Sequence, residues 1–522
     1  MLKETGPHMS TAAQTRFSST RVSETPAAFK SLRSVLQWEH IHAITLLLIA
    51  VTFLSTLRQG HGWGDDFAQY LLHARNIAEG RPYSDTGYLY NTENPVVGPK
   101  AYPPLFSVAL APIAYGFGLN LAAYKSVMVL LFVASLALAG RLFARDICGR
   151  DIWILLLITG CSPVYWEVKD AIISEHLFTL LWYGSLLIAD DWYRKKKVYG
   201  NPLIHGLILG SAVFLTCFTR TVGIVLLPVL VACELLIART MTRVGVVALL
   251  SATTLLVLER LLIPASGSGY LEQLKSMSVS QIVSNFLTDL KALTLLWQYG
   301  SQFMLGKLIA LTIVGCAVVG YLRSNFRSLS PLGIGVAAYF GLVVIWPSAE
   351  GLRMVLPLFP ALVFYTIWSF SSLKSRPQMQ LSGPLVLLFY SVVSFTLYYS
   401  NAKLGTFQSG VETQQAQELF EYVRNHTQNE DVVLFYKPRA LALYTRNRSS
   451  AYPVGISESQ FWNYVDKVHA EFVVVRPDAS AQPYEDQTYE MVADLRSERF
   501  QEVFRNQEFR VLRVLPTRIA RG

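Results

Sequence analysis

Residues 41–70 read IHAITLLLIAVTFLSTLRQGHGWGDDFAQY. The first part, 41–57, is an apolar run close to the ~20 residues that cross a bilayer as a helix. The exit from it carries two adjacent carboxylates, Asp65 and Asp66. Further runs follow at 121–140, 151–165, 171–189, 203–218, 222–238, 244–264, 305–322, 331–347, 352–370 and 381–399. They predict a polytopic α-helical membrane protein with roughly eleven to thirteen transmembrane helices. The stretch 103–118 is short, contains Pro103, Pro104 and Pro112, and reads as juxtamembrane. With 52% hydrophobic and 16% charged residues, the chain is too apolar for a soluble protein of 522 residues.

The net charge of +9 does not point to nucleic acid. The cations cluster in alternate loops: Arg141, Arg145 and Arg150, then Arg194 to Lys197, then Arg239 and Arg243, then Arg323 and Arg327. This positive-inside pattern puts the N-terminus in the cytoplasm and the C-terminus outside. The five cysteines show no CxxC spacing, and none follows residue 400. They read as small buried hydrophobes.

The chain divides into a polar N-terminus (1–38) read as disordered and cytoplasmic, a transmembrane domain (39–400), and an extracytoplasmic α/β domain (401–522). In the last, Ala416, Leu419, Phe420 and Val423 follow helical spacing, and helical patterns run through 457–470 and 484–496. Val432–Phe435 and Phe472–Val475 read as buried strands. With no GxGxxG or Walker sequence there, the domain reads as a cap on the membrane site or a holder of the acceptor.

After Asp66, the residues Phe67, Tyr70, Leu71, Ala74, Ile77 and Ala78 fall on one helical face, and Gln69, His73, Asn76 and Glu79 on the other. An amphipathic helix lying in the membrane interface is expected. Acids at its start suit the free N–H groups and the helix dipole. A cap needs only one acid, so two at a membrane surface suggest chemistry.

Gly64-Asp65-Asp66-Phe67-Ala68-Gln69-Tyr70 and Ala74-Arg75-Asn76-Ile77-Ala78-Glu79-Gly80-Arg81-Pro82-Tyr83 resemble the first external loop of GT-C superfamily glycosyltransferases. Protein O-mannosyltransferases and aminoarabinose–lipid A transferases are the nearest in pattern, with Asp-Glu where this chain has Asp65-Asp66. Lys100-Ala101-Tyr102-Pro103-Pro104, Ser174-Glu175-His176-Leu177-Phe178 and Arg353-Met354-Val355-Leu356-Pro357-Leu358 resemble three more of their motifs, with His176 in place of Pro. The resemblance implies an inverting transferase that moves a sugar from a polyprenyl-phosphate donor to an extracytoplasmic lipid, glycan or protein acceptor. It also implies a bacterial inner membrane, with membrane lipids as the surroundings.

The residue chemistry fits that reading. An acceptor hydroxyl needs a general base, and a leaving phosphate needs cations. Asp65 is the expected base, with Asp66 as its partner. Lys100, then Arg353, Arg220 and Arg58, are expected at the donor phosphate, arginine matching phosphate oxygens with its planar fork. Glu175, Tyr70, Tyr102 and Asp170 are the expected substrate-binding residues. A divalent cation (Mg or Mn) held by Asp65, Asp66 and Asp170 is a further possibility, although no cluster has ligand spacing. A lipid or glycan transporter would also explain many helices with intramembrane charge, but no internal repeat is visible.

Overall fold

The computed structural model describes residues 27–94, 98–197, 200–263, 277–297, 304–346, 351–373, 376–453, 457–476 and 499–516, with the side chains of 27–36 left aside. The expected helix at 484–496 lies outside the described residues. Helix α1 (Ala27–Ser55) begins inside the segment read as disordered. After Pro26 no glycine or proline interrupts the chain until the apolar run ends, so the helix extends from the bilayer into the polar segment.

All eleven apolar runs fall on helical segments. Among the described residues, eight helices are long and apolar enough to cross a membrane. The other three differ for local reasons. The run at 151–165 is split at Ser162-Pro163 into α5 (Gly149–Gly160) and α6 (Pro163–Val168), with Ser162 capping the second. Helix α7 (Glu175–Tyr193) carries Glu175, Asp190 and Asp191. Pro331–Val344 makes a helix of 14 residues.

Helices α4 (Leu121–Phe143) and α7 pack together, as do α8 (Pro202–Thr219) and α10 (Arg243–Leu262), with α9 (Leu226–Ala232) between these two in the chain. The α8–α10 contact depends on small residues. A Cβ built on Gly206 would stand 2.9 Å from the Val244 carbonyl oxygen, and one on Gly210 would stand 2.5 Å from that of Ala248. Two glycines four apart let the two backbones approach, which is how helices associate where lipid removes the usual hydrophobic drive.

The segment between α1 and α4 carries α2 (Asp65–Ala78), strand β1 (Tyr88–Leu89) and α3 (Leu105–Phe117). Helix α2 ends at Glu79, and Gly80 follows with φ +67°, a stop that glycine tolerates. The C-terminal region folds as a six-stranded sheet in the order β1-β3-β2-β4-β6-β5. Here β2 is Val432–Leu434, β3 Arg448–Ser450, β4 Ala470–Val475, β5 Phe500–Arg505 and β6 Arg510–Val514. The first four are parallel neighbours, and β5 and β6 add as an antiparallel pair. The edge strand β1 therefore belongs to the first loop, paired through Tyr88 with Ser449 and Leu89 with Ser450. One hydrophobic core joins α2, α3 and the start of α4 to the near face of this sheet, and the Glu458–Val468 helix packs on the other face.

The structure corrects the expected placement of α2. Gln69, His73 and Asn76, read as its solvent face, are each 0% exposed. Gln69 donates to the Lys100 carbonyl at 2.5 Å, and the His73 ring bonds the Tyr83 carbonyl at 2.7 Å. Asn76 donates to the carbonyls of Pro82 (3.1 Å) and Asp85 (2.7 Å). The polar face is a template for the loop that follows, not a solvent-facing surface. Burial lowers the His73 pKa to about 3, so the ring is neutral in this role.

Candidate active site

Asp65 and Asp66 occupy the first turn of α2, after Gly64 at the N-cap, and neither caps it through a side chain. Both turn outward to other parts of the chain. The Oδ1 of Asp65 accepts from the Ala440 N–H at 3.3 Å, inside the first turn of the Pro438–Thr445 helix. Its Oδ2 lies 3.5 Å from Arg439 Nε. Asp65 thus acts on the N-terminus of a helix from the far end of the sequence, where the dipole favours an anion. Burial pushes its pKa up to about 6, against the pull of Arg439 and Lys437.

Asp66 has a different environment. Its Oδ2 accepts from Arg353 Nη1 at 2.8 Å, and its Oδ1 from the Tyr102 hydroxyl at 2.6 Å and from Arg439 Nη1 at 3.4 Å. Burial would raise its pKa, but Arg353, Arg439 and the Tyr102 hydroxyl hold it well below the usual carboxylate range.

Glu175, at the start of α7 and 2% exposed, anchors the cations. Its Oε1 is 2.6 Å from Arg353 Nε and 2.8 Å from Arg220 Nη1. Arg220 ends α8 and also donates to Ser174 Oγ at 3.2 Å, which meets the Tyr70 hydroxyl at 2.9 Å. A cavity of about 70 Å³ opens on this array, with Asp66, Tyr70, Tyr102, Arg220 and Arg353 in its wall. Asp65 is not part of that wall. Beside it, an apolar groove of about 510 Å³ shares Pro103 and Thr221 with the cavity and continues over Ile224, Leu256 and Val257.

Seven of the ten residues singled out from sequence meet here: Asp65, Asp66, Tyr70, Tyr102, Glu175, Arg220 and Arg353. Three do not. Asp170 is taken up by Lys169, by Lys125 at 3.8 Å and by the Arg58 N–H at 2.8 Å. Arg58 lies over the Phe407 ring, 3.9 Å from its centroid, and donates to the carbonyls of Gly405 and Thr406. Lys100 is exposed and lines a separate pocket. Asp170 and Arg58 bind the first loop to neighbouring segments, and all three residues lie outside the array.

The three acids expected to hold a metal are not brought together in the structure. Asp65 and Asp66 each hold an arginine, Asp170 sits in the lysine cluster, and among the described residues no group of three or more His, Cys, Asp or Glu stands together to hold a metal ion.

Arg439 is the residue that sequence reading missed. It is 0% exposed, between Asp65 and Asp66, and donates to the Tyr102 hydroxyl at 2.7 Å and the Pro99 carbonyl at 3.0 Å. Its guanidinium lies 4.8 Å from the Tyr88 ring centroid and 4.9 Å from that of Tyr102. No motif marks it, and it stands 373 residues from Asp66.

Comparison with solved structures gives the same architecture. The archaeal oligosaccharyltransferase AglB from Archaeoglobus fulgidus, in complex with an inhibitory peptide and a dolichol-phosphate, superposes with a TM-score of 0.57 at 11% identity. The match covers 88% of this chain and 71% of that one. ArnT from Cupriavidus metallidurans bound to undecaprenyl phosphate gives a TM-score of 0.53 at 12% identity, over 91% of this chain and 98% of that one. The A. fulgidus oligosaccharyltransferase in complex with Zn and sulfate gives 0.55 at 12% identity, over 88% and 70%. No protein-family model and no curated protein sequence matches the chain. The chain is an integral membrane protein with the GT-C fold and a C-terminal α/β region.

Proposed function

We propose that the protein is a glycosyltransferase that moves a sugar from a polyprenyl-phosphate donor to an acceptor outside the membrane, with inversion. The single observation that carries this reading is the pair Arg353 and Arg220, fixed on Glu175 and facing one small cavity together with Asp66. Two structural neighbours were solved with a dolichol-phosphate and with undecaprenyl phosphate, which supports a lipid phosphate as donor. The apolar groove that meets the cavity at Pro103 and Thr221 suits a polyprenyl tail.

In the proposed reaction the acceptor oxygen attacks the sugar carbon that bears the phosphate. The acceptor proton passes to a carboxylate, the carbon–oxygen bond to phosphate breaks, and polyprenyl phosphate leaves with its negative charge on Arg353 and Arg220. Geometry comes before basicity in choosing the base. Asp66 reaches the cavity, so we assign it the base and give Asp65 the role of positioning Arg439, reversing the expectation from sequence order. In the free protein Arg353 holds Asp66 too acidic to be an effective base. A donor phosphate competes for Arg353, which raises Asp66 toward its ordinary range in the loaded site alone. The bacterial inner membrane, the cytoplasmic N-terminus and the outward-facing C-terminal region belong to this same reading.

The test is turnover of radiolabelled polyprenyl-phosphate sugars by the purified protein, with hydrolysis and transfer both counted. Wild type should turn over at least one donor. Arg353→Ala should lose turnover while staying monodisperse. Absence of turnover with every donor, together with substrate-stimulated lipid movement in proteoliposomes, would overturn the reading in favour of a transporter.

A further inference from the structure

A second pocket, of about 480 Å³, lies where the first loop meets the C-terminal sheet. Its wall holds five cations, Arg75, Arg81, Lys100, Arg446 and Arg448, against two carboxylates, Asp85 and Glu430. Arg81 is paired with Glu79 at 2.7 Å. Among the described residues, Arg75, Lys100, Arg446 and Arg448 make no ion pair. Concentrating like charges is costly unless an anion offsets them. Arg75 feels this directly: burial, then the neighbouring Arg81 and Arg446, pull its pKa below the ordinary value.

Two further features belong to residues of the pocket wall. Thr86, in its wall and 4% exposed, has an Oγ1 with no hydrogen-bond partner, and the buried Nε of Arg75 has none either. Arg446 is held at φ +67°, a backbone conformation uncommon for a residue with a side chain. The pocket is also joined to the reacting array through one layer of side chains. Tyr88 is in its wall, and the guanidinium of Arg439 covers both Tyr88 and Tyr102.

We propose that this pocket is an acceptor-side site that holds a phosphate group carried by the acceptor. The inference rests on the transferase reading for the word acceptor, while the anion site stands on the pocket alone. A phosphate monoester brings about −1.5 to −2 charges and three acceptor oxygens, which suits the cation surplus better than the single charge of a carboxylate. The volume exceeds what a bare ion needs, leaving room for a saccharide ring beside the phosphate.

The experiment is calorimetric titration of the detergent-purified full chain with glucose 1-phosphate, glucuronate and uncharged methyl glucoside, beside donor turnover by the same wild-type sample. Saturable binding of glucose 1-phosphate, stronger than glucuronate, is expected. The double variant Arg446→Gln/Arg448→Gln on one wall and Lys100→Gln on the other should each weaken it, the double variant by about tenfold or more. These side chains are exposed, so folding should survive, and a thermal melt checks it. Displacement of the probe by phosphatidic acid but not phosphatidylcholine marks a lipid-borne phosphate, and no displacement marks a soluble one; either supports the site. Donor turnover without phosphate binding, or binding indifferent to these variants, overturns the inference and leaves the transferase standing. Phosphate binding lost in the variants, with no donor turned over, keeps the anion site and overturns the transferase.

Discussion

At the scale of single residues, two adjacent carboxylates of one type have been given opposite electrostatics. Asp66 meets two guanidinium groups and a hydroxyl, while Asp65 is buried against one guanidinium and a helix N-terminus. The division of roles is testable. Asp66→Asn should lower donor turnover about 10²- to 10⁴-fold, the range for losing a general base, and Asp65→Asn should lower it less. Equal losses would reject the division. Asp65 also sets a pH dependence of stability. Its folded pKa of about 6 lies above its ordinary 3.8, so the folded state holds the extra proton between those values. The contribution of Asp65 is therefore full below about pH 4 and is lost as pH rises through about 6, a change of roughly 3 kcal/mol. Thermal unfolding across this window should show a slope in wild type that Asp65→Asn flattens. Arg439→Met removes the buried cation between Asp65 and Asp66 and should cost about 3–5 kcal/mol by thermal or denaturant melts.

At the scale of elements, the apolar runs were legible because a bilayer demands a length that letters alone reveal. Helix α2 was legible through its 3.6-residue period, but the burial of its polar face was not. Gln69, His73 and Asn76 bond backbone carbonyls of the next loop, and carbonyls leave no signature in sequence. Lys100 and Tyr102 stand two residues apart in one motif, and only their side-chain contacts separate them, Tyr102 into the array and Lys100 into the second pocket. Strands β5 and β6 escaped notice because charged and apolar residues are mixed in them with neither strict alternation nor a long apolar run. The α8–α10 contact gives an element-scale prediction. Gly210→Leu places atoms where the α10 backbone lies, so the variant should lose several degrees of thermal stability or fail to purify as a single species. An unchanged melt would show that the helices separate there at little cost.

At the scale of the whole molecule, the first loop and the C-terminal region form one unit. A shared core and a shared sheet join them, and Arg58 and Lys125 lie over Phe407 on the other side of the loop. A boundary near residue 400 follows the end of the last apolar run, yet it cuts this unit. A chain ending at residue 400 should therefore lose both donor turnover and the ordered first loop, read as faster proteolysis between residues 58 and 102. A truncated chain with full turnover would mean the array closes without Arg439. The long sequence separation explains why composition and spacing suggested a cap but could not name the residue it contributes.

Strand β1 and the paired acids are made early, whereas β3 and Arg439 are made last. A ribosome translating this chain must thread every membrane helix before the loop acquires its neighbours. During that interval the half-built protein already carries Asp65 and Asp66 but lacks Arg439, the cation that lies between them. Synthesis of the C-terminal region, not insertion of the first helices, assembles the array, so on the proposed function a nascent chain halted before residue 439 is expected to leave its donor untouched.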